Sequence, residues 1–188
     1  MLKLIFALIL LPIYIFSPLQ DELKKTAFKT NSGKITFKSD APLETIYAES
    51  TDLRGIIDTS KNTFAFSVAI ISFTGFNGPL QKEHFNENYM ESDLYPVATF
   101  TGKIIEEIDY SAKGIYEVRA KGVLNIHGVK QERIIKGKVE VNKDQIVIKS
   151  EFIITMADHD IRIPKIVYQK IAPDIDVTIN ASLTSTSK

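Results

Sequence analysis

The sequence predicts an all-β protein, an extended antiparallel barrel of about eight strands with one short helix near residues 79–90. Two observations lead to this fold class. In the carboxyl-terminal half of the chain, apolar and charged residues alternate over long runs separated by short turns, which is typical of an antiparallel meander. Between residues 81 and 100 this alternation gives way to a helical spacing. The sequence therefore combines a closed sheet with a single helix lying across it.

The helix prediction depends on two aromatic residues. Phe85 and Tyr89 are four positions apart, so a helix places both on one face. We expect the helix to end at Tyr95, because a residue that precedes proline is disfavoured in the α conformation. A strand then follows from Val97 to Phe100. The aromatic face requires an apolar surface, and the open end of a barrel provides one.

The amino-terminal half predicts several strands. Ile35 and Phe37 alternate with polar residues, as in a half-buried strand. Weaker patterns predict separate strands at 45–49 and 55–58, and a stronger pattern predicts one strand over 62–73. The inward face of this last strand carries Phe64, Phe66, Val68 and Ile70.

The carboxyl-terminal half predicts four long strands in succession, each with one apolar face. The apolar positions are Tyr116, Val118, Ala120, Gly122, Leu124 and Ile126, then Ile135, Gly137, Val139 and Val141, then Ile146, Ile148, Phe152, Ile154 and Met156, and finally Ile175, Val177, Ile179, Ala181 and Leu183. Small residues interrupt the bulky ones on these faces. An interior of this kind is either filled by side chains or hollow enough for one small ligand, and periodicity does not decide between the two.

Composition excludes several classes of function. The 188 residues have a formal net charge of zero, so the chain lacks the basic excess typical of nucleic-acid-binding proteins. The chain has no cysteine, which excludes disulfides and thiolate metal sites.

Residues 1–20 have the pattern of a secretory signal peptide. One charge, Lys3, precedes an apolar run from Leu4 to Phe16, and this run is shorter than the about 20 residues of a transmembrane helix. We therefore expect residues 21–188 to form a single domain that is exported to the periplasm or secreted. A retained membrane anchor is the alternative interpretation.

The sequence offers little support for catalysis. None of the three histidines, His84, His127 and His159, has a metal-ligating partner at helical or strand spacing. Asp158 and Asp160 flank His159, and two neighbouring carboxylates would raise the pKa of the imidazole. We interpret this tripeptide as a polar loop, and we expect neither a catalytic site nor a metal site.

Three segments resemble a known family. The stretch His84–Ile104, with Tyr95, Pro96 and Phe100 at its centre, resembles the signature of the YceI-like family, lipocalin-like polyisoprenoid-binding proteins of bacterial periplasms. Gly122–Gly137 resembles the family's two strands joined at a His-Gly turn, and Thr155–Ile161 is a weaker match that lacks the family's arginine-containing turn. The resemblance extends over about residues 35–183.

The resemblance implies a lipocalin-like barrel with an apolar tunnel that holds an isoprenoid chain. The bound molecule would be a polyisoprenoid or an isoprenoid quinone, and the protein would be an exported, non-enzymatic carrier that contacts a membrane transiently. The expected lining is Phe66, Val68, Val118, Leu124, Phe152, Ile154 and Ile179, with Phe73, Phe85, Tyr89 and Phe100 closing the helix end; each of these residues also fits an ordinary core.

Two alternatives remain. A filled barrel would instead serve as a protein-interaction module of the cell envelope. An enzyme would act on a hydrophobic molecule in the tunnel, with Asp158, His159 or Tyr89 converging on it.

Overall fold

The computed structural model describes residues 27–186, and these form a closed barrel of eight antiparallel strands with one short helix. Each strand pairs with its neighbour in the chain, and the last pairs with the first, so the sheet has no free edge. The predicted lipocalin-like fold class is confirmed. The predicted signal peptide, residues 1–20, lies outside the described residues.

The strands are long and follow one another up and down the barrel. In chain order they are β1 (Ala27–Asp40), β2 (Thr45–Asp58), β3 (Thr63–Ala69), β4 (Val97–Ile104), β5 (Gly114–Ile126), β6 (Val129–Val141), β7 (Gln145–Thr155) and β8 (Asp174–Ser185). Within the described part of the chain, no helix is long and apolar enough to cross a membrane.

The connections define two different ends of the barrel. At one end, which we call the helix end, lie the β1–β2 loop, the long β3–β4 connection, the β5–β6 turn and the β7–β8 connection. The other end, which we call the base, holds the β2–β3, β4–β5 and β6–β7 loops. The two ends are closed by different structures, and this difference decides where the interior is accessible.

The helix lies where the sequence predicts it, but it ends earlier. α1 (Pro79–His84) continues as a π-helical turn over Phe85–Tyr89, in which the N–H of Met90 donates to the Phe85 carbonyl at 2.9 Å. Glu91 then has a φ of 41°, which breaks the helix. The prediction that Pro96 ends the helix is wrong, because Pro96 lies just before β4.

Two predicted strand boundaries are also wrong. The separate strands at 45–49 and 55–58 are one continuous strand, β2. The sequence does not predict a continuous strand because the middle of β2 is polar. Ser50 in this middle part is buried, and its hydroxyl lies 2.7 Å from that of Ser72. The strand predicted over 62–73 ends at Ala69, where Ile70–Ser72 turns into a 3₁₀ helix. Ile70 nevertheless stays buried, as its apolar neighbours predict.

The base of the barrel is filled by side chains. Phe28, Val141, Ile146 and Leu183 are almost fully buried there and form part of one continuous apolar cluster. Asn62 closes the β2–β3 loop over this layer in the left-handed conformation that asparagine tolerates, with a φ of 55°. The side-chain amide of Asn62 donates to the carbonyls of Ile104 at 3.0 Å and of Glu106 at 2.8 Å.

Tyr110 completes the closure of the base, and its hydrogen bond leads to a prediction about stability. Its hydroxyl donates to the Asn62 side-chain oxygen at 2.7 Å, and burial raises the pKa of Tyr110 to about 12. Tyr110→Phe leaves that oxygen without its donor, so we expect the free energy of unfolding to fall by about 1–2 kcal/mol in urea denaturation at neutral pH.

Tyr110→Phe should also change how the free energy of unfolding depends on pH in the alkaline range. An unfolded tyrosine ionises near pH 10, so between about pH 10 and pH 12 the unfolded chain releases a proton that folded Tyr110 retains. The wild-type free energy of unfolding therefore falls as the pH rises through this interval, and Tyr110→Phe should fall less steeply. Tyr168→Phe, at an exposed tyrosine, is the control, and an equal change in slope in both variants would contradict this account.

Candidate ligand cavity

The middle of the barrel and its helix end are hollow. A cavity of about 700 Å³ extends from the filled base to the helix end, within the range of small-molecule sites. Its floor includes Ile57, Phe64 and Val139, and its upper wall includes Met90, Met156 and Ile171. The middle of the barrel is therefore hollow, whereas the protein-interaction alternative predicts a filled interior.

Small side chains on adjacent strands leave this space open. Ala120 in β5, Gly137 in β6 and Ser150 in β7 all line the cavity. Val118 is paired with Gly137, so a bulky residue there faces one that has no side chain. The Ser150 hydroxyl donates to the Lys136 carbonyl at 2.7 Å, so its polar group is satisfied without a ligand. The wall in this region is therefore both open and apolar.

All the residues expected to line the tunnel lie on the cavity wall. They are Phe66, Val68, Phe73, Phe85, Tyr89, Phe100, Val118, Leu124, Phe152, Ile154 and Ile179. Alternation finds them because successive side chains of a strand point to opposite faces of the sheet. Their contact with a ligand stays a prediction.

Four phenylalanines, which we call the aromatic cluster, fix the helical segment to the barrel. The ring of Phe85 stacks on that of Phe37 with 5.3 Å between centroids, and lies 5.8 Å from Phe73 and 5.0 Å from Phe76. Each aromatic pair of this kind contributes about 0.5–1.5 kcal/mol beyond its buried area. Phe76 is not predicted from the sequence, because it lies in a loop with no periodicity.

Phe100 lies deeper than expected. It was grouped with the residues that close the helix end, but its ring lies 4.9 Å from that of Phe64 in the middle of the barrel. The reason is register: Phe100 is the fourth residue of β4 and pairs with Phe66 and Leu124. Phe73 and Phe85 do lie at the helix end, in the aromatic cluster.

A small polar group lies at the helix end of the cavity. The Gln81 side chain donates to a Glu44 carboxylate oxygen at 2.9 Å, and the Asn77 N–H donates to the Gln81 side-chain oxygen at 3.0 Å. Leu80 also lines the cavity while being 61% exposed to solvent. The cavity therefore reaches the surface between α1 and the β1–β2 loop, and we call this opening the mouth.

The β5–β6 turn holds the remainder of the helical segment in place. His127 and Gly128 both have positive φ, as a tight two-residue hairpin requires. The His127 ring lies 2.7 Å from a Glu91 carboxylate oxygen through Nε2, and 3.1 Å from the His159 carbonyl through Nδ1. Tyr95 covers the turn with its ring 4.6 Å from that of His127. Three connections are thereby joined at the helix end.

His159 does not lie in the polar loop predicted from its neighbours. Its side chain is fully buried, and among the described residues no group forms a hydrogen bond of good geometry with its ring nitrogens. Burial lowers the pKa of His159, and the nearby backbone of Val129 and Ile126 only partly offsets this. The predicted rise in pKa is wrong because burial outweighs the carboxylate of Asp158.

The three residues of the enzyme alternative do not converge on the cavity. Tyr89 lines it, whereas neither Asp158 nor His159 is part of its wall. A carboxylate oxygen of Asp158 lies 3.9 Å from the Arg133 guanidinium at the outer surface. Among residues 27–186, no group of three histidine or acidic side chains is arranged to hold a metal ion.

The buried histidine predicts an acid sensitivity. An unfolded histidine takes up a proton near pH 6.5, whereas folded His159 resists protonation, so the free energy of unfolding should decrease as the pH falls below that value. His159→Leu removes the titrating group, and we expect a shallower decline in urea denaturation measured across this range. His84→Gln, at an exposed histidine, is the control, and its free energy of unfolding should decrease with pH as that of the wild type does. If the free energy of His159→Leu also decreased as steeply as that of the wild type, buried His159 would not be the cause of the acid sensitivity.

A closed antiparallel barrel with a hollow, apolar interior defines the lipocalin-like class of proteins. Within this class, the chain belongs to the family of the YceI-like domain, whose pattern matches residues 23–183. The resemblance seen in the sequence is thereby confirmed. No curated protein sequence matches the chain significantly.

Solved structures with the same fold include three from bacteria. A polyisoprenoid-binding domain from Saccharophagus degradans superimposes with a TM-score of 0.72 at 15% identity, covering 86% of this chain and 99% of that one. BcnA from Burkholderia cenocepacia superimposes with a TM-score of 0.66 at 13% identity, covering 81% of this chain and 96% of that one. The Campylobacter jejuni YCEI protein superimposes with a TM-score of 0.53 at 18% identity, covering 70% of this chain and 78% of that one. At these identities the similarity establishes the fold.

Proposed function

We propose that this protein is an exported, non-enzymatic binding protein that carries an isoprenoid, either a polyisoprenoid or an isoprenoid quinone, in its barrel. The observation that carries the proposal is the apolar cavity of about 700 Å³, closed at the base and open at the mouth. Family membership supports the choice of ligand, since a structural relative is described as a polyisoprenoid-binding domain.

The driving force for binding is the removal of apolar surface from water. Each CH₂ group that leaves water contributes about 0.8 kcal/mol, so a prenyl chain gains affinity with each unit that enters the cavity. The wall presents almost only carbon to the chain, and the polar groups of the middle barrel, such as the Ser150 hydroxyl, are already satisfied. Such a wall selects by shape and apolarity.

The geometry also orients the ligand. Among the described residues, the floor of the cavity is lined by apolar side chains such as Ile57, Phe64 and Val139. The mouth, in contrast, carries Glu44, Asn77, Gln81, His84 and Lys170. A prenyl chain would therefore enter tail first, with its polar head group at the mouth. In this proposed orientation, the predicted lining residues Val118, Leu124, Phe152 and Ile179 would contact the chain.

A titration with prenyl alcohols of increasing length tests the proposal. Affinity should rise with each added isoprene unit while the chain fits the cavity, and should then level off when further units remain in water. An affinity that does not depend on chain length, or the absence of binding at every length, would contradict the proposal.

A further inference from the structure

We propose that the mouth of the cavity is a docking surface for an anionic lipid bilayer, from which the bound molecule enters the barrel. This inference rests on the proposed function, since it names the surface that supplies the ligand. It is carried by the exposed apolar side chains around the mouth, by the cations among them, and by their continuity with the cavity.

The central element is the segment Ile161–Ile171, the middle part of the connection between β7 and β8. Ile166, in the 3₁₀ turn Lys165–Val167, is 92% exposed, and Tyr168, directly after the turn, is 64% exposed. These side chains extend away from the protein although Val167 and Ile171 of the same segment line the cavity. One short segment therefore faces both the cavity and the solvent.

Two further apolar side chains lie around the same opening. Leu43 in the β1–β2 loop is 66% exposed, and its N–H donates to the Gln169 carbonyl at 2.9 Å. Leu80 at the start of α1 is exposed and also lines the cavity. Hydrogen bonds from Gln81 and Asn77 to Glu44 join α1 to the β1–β2 loop, so the three elements form one rim.

Hydrogen bonds attach the rim to the barrel. The Ala172 N–H donates at 2.8 Å to the hydroxyl of Ser39, which is itself buried. With the bond between Leu43 and Gln169, this anchors the carboxyl-terminal part of the segment to β1 and its loop. The residues that follow Ile166 and Tyr168 are thus bonded to the barrel.

The charges of the segment suit an anionic surface. Arg162, Lys165 and Lys170 are exposed, no acidic residue lies between Ile161 and Ile171, and none of the three cations forms an ion pair with the described residues. Among the acidic residues beside the segment, Glu44 accepts amide hydrogen bonds, while Glu83 in α1 and Asp160, which directly precedes Ile161, are exposed. Apolar side chains interspersed with lysines are typical of surfaces that lie in the bilayer interface.

The exposed isoleucines on strands β5, β6 and β7 lack this setting. Ile115 at the base is 72% exposed, but it starts β5 far from the mouth. Ile134 and Ile153 lie on the outer face of the sheet and are paired with Lys121 and Asp176. Single exposed residues of this kind are normal on a protein surface, whereas the rim combines several around an apolar cavity.

A single introduced tryptophan tests the proposal, because the full chain contains none. Tyr168→Trp should move its fluorescence to shorter wavelengths when vesicles of phosphatidylethanolamine and phosphatidylglycerol are added, and brominated acyl chains should quench it. Ile115→Trp, also at an exposed site but at the base, is the matched control and should not respond. All variants share the same amino-terminal segment, so any vesicle binding through that segment is common to them. A difference in fluorescence response therefore reports how deeply each tryptophan enters the bilayer.

The cations are tested in the Tyr168→Trp background. Lys165→Gln combined with Lys170→Gln should raise the vesicle concentration needed for half of the response by about tenfold or more, because each surface lysine gives roughly a fivefold gain in affinity. The proposal is overturned if Tyr168→Trp does not respond to vesicles, if Ile115→Trp responds equally, or if removing both lysines leaves the response unchanged.

Uptake of a prenyl alcohol from detergent micelles separates this proposal from the proposed function. Uptake from micelles without a vesicle response at Tyr168→Trp would overturn docking and leave the carrier function standing. A vesicle response without uptake from micelles or vesicles would support the docking surface and overturn the carrier function.

Discussion

Ala120→Trp is expected to lower the affinity for a prenyl alcohol by at least about tenfold, equivalent to about 1.4 kcal/mol. Ala120 lies on the cavity wall, paired with Ile135, and the next position on the same face of β5, Val118, is paired with Gly137. An indole at Ala120 therefore occupies volume that the ligand needs. Affinity is measured by titration, and the circular dichroism spectrum should remain that of a β-protein because the indole fills existing space.

The next residue along the strand provides the control. Lys121 is exposed and points to the opposite face of β5, so Lys121→Trp adds the same side chain outside the barrel and should bind as the wild type does. Val118→Trp, on the inner face opposite Gly137, should repeat the loss. Unchanged affinity in both inner variants would mean that the ligand lies elsewhere.

Gly102→Ala and Gly122→Ala are each expected to destabilise the barrel by about 1–3 kcal/mol. The two glycines are paired directly between β4 and β5. A Cβ atom on Gly102 would overlap the Lys121 carbonyl oxygen, and one on Gly122 would overlap that of Thr101. Since the obstacle in each case is backbone, relief requires the two strands to move apart.

Thermal and urea unfolding measure this effect. A loss of this size lowers the Tm by about 2–12 °C for a chain of this length. Gly78→Ala is the control, because no atom lies within 4 Å of the position of its Cβ and its φ of −174° suits any residue. The chain entropy of the unfolded state favours alanine over glycine, so Gly78→Ala should keep or slightly raise the stability. A loss at Gly78 equal to that at Gly122 would show that the close approach of β4 and β5 is not the cause.

The sequence predicts most of the structure where one face of a strand is apolar and the other is charged. Val118, Leu124 and Ile179 could be placed on the wall for this reason, and the helical segment was recognisable from the spacing of Phe85 and Tyr89. These are local patterns, and the closed sheet preserves them. The family resemblance added the hollow interior, which alternation alone did not decide.

What the sequence did not predict depends on contacts between distant segments. In the sequence, Ser50 indicates a polar break between two strands. In the fold it is buried, and Ser72, a residue from a distant segment, forms a hydrogen bond with its hydroxyl. His159 reads as a solvated base between two carboxylates, because burial beneath the β5–β6 turn does not appear in its immediate neighbours. The mouth was missed because its parts, Leu43, Leu80 and Ile166, lie in three separate connections.

The measurement that tests the central claim most directly is organic extraction and mass spectrometry of the protein purified from its own cells without detergent. The account predicts one prenyl lipid, in an amount close to that of the protein, whose apolar chain is short enough for the cavity to enclose. Recovery of a polar metabolite at that level would contradict the account. So would a protein that carries no lipid and takes up none when prenyl lipids are added.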